Sequence, residues 1–134
     1  MIYVALPLYA QKRYNNSMEA GRYDFEISQG TTFRREFVWK DDAGVVIDIT
    51  GYTAKMQLRK TKESSVVLHE ASTSNSGLTI TGAQGKVALL ITDEQSALFT
   101  FSSAYYDLEL YSTGGETYRI LEGKVRLNKE VTRV

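Results

Sequence analysis

The sequence predicts an all-β fold, an antiparallel β-sandwich with an extended N-terminal arm and one short helical turn. Three observations predict it. Apolar and polar residues alternate with period two in several short runs, as half-buried strands require. Turn chemistry recurs about every 8 to 12 residues, a spacing shared by all-β sandwiches and barrels. Only one convincing helix start is present.

The opening Met1 to Ala10 is apolar, and Gln11 to Gly21 is polar with Asn15-Asn16-Ser17 at its middle. Residues 1–21 therefore read as an arm and 22–134 as the sandwich domain. A helix that spans a bilayer needs about 20 apolar residues, so no membrane insertion is expected. Lys12 and Arg13 follow the apolar stretch instead of preceding it, unlike a secretory signal, so the arm is expected to be retained. Such an apolar end must be buried somewhere. Ile2, Tyr3, Val4, Leu6, Leu8 and Tyr9 are the residues expected to dock, either at home or on a neighbouring subunit. Pro7 limits pairing, because it cannot donate a ladder hydrogen bond.

From Arg22 the alternation is clear. Tyr23, Phe25 and Ile27 share one face of a first strand, and Gln29-Gly30 breaks it. Thr31 to Lys40 follows as a strand carrying Phe33, Phe37 and Trp39. Asp41-Asp42-Ala43-Gly44 is a turn, Val45 to Ile47 a short strand and Asp48 to Gly51 a corner. In Tyr52 to Lys60, Tyr52, Ala54, Met56 and Leu58 face one side. Ser65 to Ala71 is a further strand, and the loop Ser72 to Gly77 has little capacity to pack. Leu78 to Thr81 and Lys86 to Ile91 form a hairpin around Gly82-Ala83-Gln84-Gly85, the second strand being more deeply buried. Thr92 and Gln95 fit a capping box, with Asp93 and Glu94 suiting the helix dipole, so a turn or two runs to about Phe99. Ala104 to Ser112 and Thr117 to Leu127 are the last long strands, joined through Gly114-Gly115. Glu130-Val131-Thr132 extends the pairing.

Composition and motifs exclude several function classes. Sixteen Lys plus Arg oppose sixteen Asp plus Glu, leaving no net charge to attract nucleic acid or an anionic membrane. The absence of cysteine excludes disulfides and thiolate metal sites. His69 is the single histidine, so a catalytic triad must be built on it, and a strand residue beside the core explains it better. Asp41, Asp42 and Asp48 lack the spacing of a calcium loop and suit turns. Asp107 and Glu109 fall on one strand face about 7 Å apart, where solvent is the usual neighbour. Glu116 and Glu122 are further candidates for such a carboxylate pair. Gly82-Ala83-Gln84-Gly85-Lys86 is too short for a phosphate loop, and Arg59-Lys60-Thr61-Lys62 has no interleaved aromatics for stacking bases. No catalytic residue, metal or cofactor is expected. Nine tyrosines suit sandwich cores and contact surfaces alike.

The order of segments carries a resemblance. Phe25-Glu26-Ile27-Ser28-Gln29-Gly30-Thr31-Thr32-Phe33, Asp41 to Tyr52, Gly77-Leu78-Thr79-Ile80, Thr92-Asp93-Glu94-Gln95, Tyr106 to Leu110 and Leu121 to Val125 together resemble the immunoglobulin-like domains of bacteriophage tail and baseplate proteins. These include the N-terminal domain of baseplate upper proteins. The resemblance covers roughly Tyr23 to Thr132. It implies an immunoglobulin-like sandwich and a non-enzymatic virion structural protein of a tailed phage, synthesised in the host bacterial cytoplasm. Its implied place is a collar or ring at the tail tip or baseplate that anchors fibres or receptor-binding proteins. The implied partners are other copies of the chain, tail tube or baseplate hub proteins, and a tail fibre or receptor-binding protein. A baseplate upper protein continues into a long helical, receptor-side region, whereas this chain stops at Val134, which favours a stand-alone subunit. The alternatives are a carbohydrate-binding module using exposed Trp39 and tyrosines, and a small hydrolase using Asp107 and Glu109.

Overall fold

The computed structural model describes residues 2–5 and 20–133 of the chain, residues 2–5 through their backbone pairing. The described elements are β1 (Ile2–Ala5), β2 (Gly21–Arg22), β3 (Phe25–Ser28), β4 (Phe33–Val38), β5 (Thr53–Arg59), β6 (His69–Ser72), β7 (Leu78–Thr81), β8 (Lys86–Ile91), α1 (Asp93–Ala97), β9 (Ser103–Tyr111) and β10 (Thr117–Asn128). They form an all-β sandwich. One sheet has the order β1-β4-β8-β7; the other runs β2-β10-β9-β5-β6, with β3 also paired to β10.

Alternation builds the core directly. Ala54, Met56 and Leu58 on β5, Val87, Leu89 and Ile91 on β8, and Tyr106, Leu108 and Leu110 on β9 are all buried, while the residues between them are half-buried or exposed. Burying each large apolar side chain stabilises by about 1.5–3 kcal/mol. Phe25 links the layers. Its ring stacks on Phe33 of β4 at 5.0 Å and packs on Tyr106 of β9 at 4.9 Å, so one residue of β3 touches both sheets.

The expected antiparallel pairing holds for β4 with β8, β7 with β8, β5 with β6 and β9, and β9 with β10. The N-terminal strands differ: β1 pairs parallel with β4, and β2 and β3 pair parallel with β10. These partners lie far along the chain, so no local turn dictates their direction.

The hairpin between β7 and β8 is closed by a 3-10 turn over Gly82–Gln84, with Gly85 in the left-handed region at φ +60°. The capping box is present, Gln95 N–H donating to Thr92 Oγ1 at 3.1 Å and Thr92 N–H to Gln95 Oε1 at 2.9 Å. Three expected strands come out differently. Val45 to Ile47 contributes only an isolated bridge, Lys40 to Val46, because Asp41 holds the turn closed. The strand expected from Ser65 starts at His69, with Val66 and Val67 exposed before it. Glu130 to Thr132 lies outside every strand; Glu130 N–H donates instead to the Gln29 side chain.

One irregularity shapes β10. Pairing with β9 shifts between Arg119 and Leu121, so Ile120 is an extra residue, a β-bulge. Ile120 and Leu121 are consecutive yet both fully buried. The bulge lets Tyr118 and Ile120 point inward before it and Leu121, Val125 and Leu127 after it. Arg119 and Glu122 are left on the outer face.

Candidate functional site

The outer face of the larger sheet is the most chemically varied surface. Gln57 and Arg59 from β5, Tyr105, Asp107 and Glu109 from β9, and Arg119 and Glu122 from β10 line an open cleft of about 440 Å³, with Lys62 and Ser64 from the following loop. Cross-strand register assembles it: Asp107 lies opposite Gln57 on one side and Glu122 on the other, while Glu109 lies opposite Lys55 and Arg119.

Asp107 and Glu109 share the outer face of β9, as alternation predicts, and one guanidinium serves both. Arg119 Nε stands 3.3 Å from Asp107 Oδ2, and its Nη2 stands 3.8 Å from Glu109 Oε2. Half-burial, then the neighbouring Glu109 charge, raises the Asp107 carboxyl above its ordinary value, and Arg119 opposes the rise. The Tyr111 hydroxyl donates to Glu109 at 3.0 Å, and burial together with this bond pushes the phenol up to about 12. Beside them Arg59 donates to the Ser64 carbonyl at 2.6 Å and to Gln57 Oε1 at 2.8 Å. Gln57 in turn donates to Glu70 at 2.7 Å, and Lys62 pairs with Glu122 at 3.5 Å. The cleft is a charge lattice of both signs, and each named carboxylate has a basic or hydrogen-bonding partner. Such a face suits contact with another polar surface. Arg119 and Glu122 reach it because of the bulge, whose sequence signal is the slip from even to odd apolar positions at Ile120-Leu121.

The remaining candidates fall in structural roles. Asp41 Oδ1 accepts from the amides of Ala43 and Val45, each at 2.9 Å. Asp48 accepts from the Thr50 side chain and amide, which lower its pKa, so both aspartates close turns. Among the described residues no cluster of three His, Cys, Asp or Glu could hold a metal ion. His69 packs edge-on to Phe99 at 5.3 Å, and its burial lowers its pKa. Lys86 of the glycine-bounded hairpin pairs with Glu36 at 3.0 Å. Glu116 accepts from the Tyr118 hydroxyl in the last hairpin, away from Asp107 and Glu109 in register. Trp39 is 3% exposed and packs on Tyr118 at 5.5 Å, so it presents no open ring face to a sugar. Leu6, Leu8 and Tyr9 of the arm lie outside the described residues, whereas Ile2, Tyr3 and Val4 belong to β1. No described helix is long and apolar enough to cross a membrane.

Two sheets, β1 on one edge and the β2–β3 pair on the other, set the geometry against which known proteins can be compared. The sequence matches no protein-family model and no curated relative. The fold does have a solved counterpart. The N-terminal domain of phage TP901-1 ORF48 superposes with a TM-score of 0.52 at 13% identity, covering 96% of this chain and 100% of that one. At that identity the likeness establishes the fold, a β-sandwich shared along nearly the whole of both chains.

Proposed function

We propose that this chain is a non-enzymatic structural protein of a tailed-phage virion, part of a tail-tip or baseplate collar or ring that anchors fibres or receptor-binding proteins. The observation that carries the reading is the whole-length likeness to a domain of a phage protein. The charge lattice on the outer face supports it, because the Asp107 and Glu109 carboxylates are bridged by Arg119 and so are tied up in pairing. No cofactor enters. The burial of Trp39 weighs against the carbohydrate-binding alternative.

In this reading the partners are other copies of the chain, tail tube or baseplate hub proteins, and a fibre or receptor-binding protein. Sandwich edges offer unpaired amides and carbonyls that a neighbouring strand can satisfy, which is a direct route to a closed ring. The arm is the element assigned to that contact. The test is immunolabelling of tailed-phage particles from the source, imaged by negative-stain electron microscopy. Label at the tail tip or collar is the expected result; particles in which the chain is undetectable would overturn the assignment.

A further inference from the structure

We propose that the β4 edge is the acceptor site for the N-terminal strand of a second copy of this chain, β1 being exchanged between subunits in the same parallel register that it holds at home. The inference rests on the assembly reading above and adds which surface receives the arm.

Among the described strands β1 has one neighbour, β4, and stands at the end of its sheet. Its register is Ile2 to Arg35, Tyr3 to Glu36, Val4 to Phe37 and Ala5 to Val38. Remove β1 and β4 becomes an edge, its outward amides and carbonyls lacking ladder partners. That edge is a template for another strand. The chain then runs from β1 in one sheet to β2 in the other, through residues 6–20. Fifteen residues reach at most about 50 Å when extended, more than the width of one small domain. The connecting sequence therefore does not oblige β1 to pair with its own β4.

Exchange replaces each home ladder with an identical one on a neighbour, so it costs little beyond association. The two pairings are isoenergetic at the ladder, and concentration or attachment to a larger assembly decides between them. A chain that gives its arm to one neighbour and accepts one from another makes a head-to-tail contact, which closes into a ring when the rotation allows. The partner is thus a second copy of this chain, recognised by backbone pairing along Arg35 to Val38.

The chain has no cysteine, so an introduced pair reports cleanly. Full-length Tyr3→Cys carrying an affinity tag is mixed with untagged full-length Glu36→Cys, the two positions being register partners. After mild oxidation, non-reducing electrophoresis and light scattering are read together. Exchange predicts a mixed disulfide between tagged and untagged chains that dominates over same-chain dimers and rises with concentration. It also predicts that the double variant Tyr3→Cys with Glu36→Cys gives inter-chain cross-linked oligomers. A double variant that cross-links only within one chain, whether monomeric or assembled, overturns exchange. Absence of any disulfide between positions 3 and 36 in an assembled sample overturns the register itself. A chain that assembles without arm exchange leaves the virion reading standing, whereas absence of label on particles removes that reading whatever the disulfides show.

Discussion

The two N-terminal edges of the sandwich take partners at different distances along the chain, β1 pairing with β4 33 residues on and β2 and β3 with β10 100 residues on. On the larger sheet, β2 and β3 are locked by bonds beyond their ladder to β10. Tyr23 N–H donates to the Glu122 carbonyl at 3.0 Å, the Tyr106 hydroxyl donates to the Tyr23 carbonyl, and Lys124 N–H donates to Asp24 Oδ1 at 2.8 Å. Gly123 makes this possible, since a Cβ there would stand 2.1 Å from the Tyr23 carbonyl oxygen. On the smaller sheet, the described attachment of β1 is a four-residue ladder to β4. A strand locked by a close backbone approach and a buried phenol is committed to one partner. The backbone ladder of β1 is one that any identical edge can satisfy.

The strongest break in this contrast is Phe25→Ala. Phe25 is 6% exposed and sits among Tyr23, Phe33 and Tyr106, so truncation empties the point where β3 joins the two sheets. A loss of about 3–5 kcal/mol is expected. Urea unfolding followed by tryptophan fluorescence would measure it; a loss below 1 kcal/mol would show that β3 is not held by this ring. Gly123→Ala comes next. The added methyl collides with backbone, which cannot rotate away as a side chain can, and about 2–3 kcal/mol should be lost. An unchanged midpoint in the same titration would show that β2 and β3 can shift off β10 at no cost.

Tyr106→Phe removes one hydroxyl and keeps the ring. Its phenol is almost wholly buried, burial pushes its pKa up, and the Tyr23 carbonyl would lose its side-chain donor. The expected loss is about 1–2 kcal/mol, with the Tyr23 region gaining hydrogen-exchange rate before the rest of the larger sheet. Uniform exchange across the sheet would instead show that the strand opens only with global unfolding.

These edges also mark what could be read from residues alone. The period-two runs in β3 and β5 gave their buried faces correctly, because each strand packs one face on the core and leaves the other wet. The box at Thr92 and Gln95 was legible because its bonds are local. The parallel pairing of β1, β2 and β3 was not, since partners 33 residues apart for β1 and 100 apart for β2 and β3 leave no mark in any short window. Tyr106 and Gly123 looked like an ordinary core residue and an ordinary glycine; their roles exist only once β3 crosses β10. The carboxylate pair on β9 was visible from alternation, but Arg119, which joins it, is displaced into place by the bulge at Ile120.

The smallest expected effect is also the control for the locked edge. Arg119 and Gly123 share β10, yet Arg119 faces out and is 54% exposed at its side chain. Arg119→Gln should therefore cost less than about 1 kcal/mol and leave β2 and β3 in place. Its sharper signature is in titration. Burial and Glu109 already raise the Asp107 carboxyl, and Arg119 is the first of the groups that hold it down, so removing the guanidinium should raise it further. For an acid whose folded pKa exceeds its unfolded value, the folded state binds the proton first. Stability from this group therefore falls as pH rises from the ordinary carboxylate value through the raised one, and the variant should extend that window upward. Carboxyl carbon NMR of Asp107 in both proteins would read the shift directly. A titration that does not move in Arg119→Gln would mean that the guanidinium is not the lattice's common partner, and that burial and the remaining charges set the titration of Asp107.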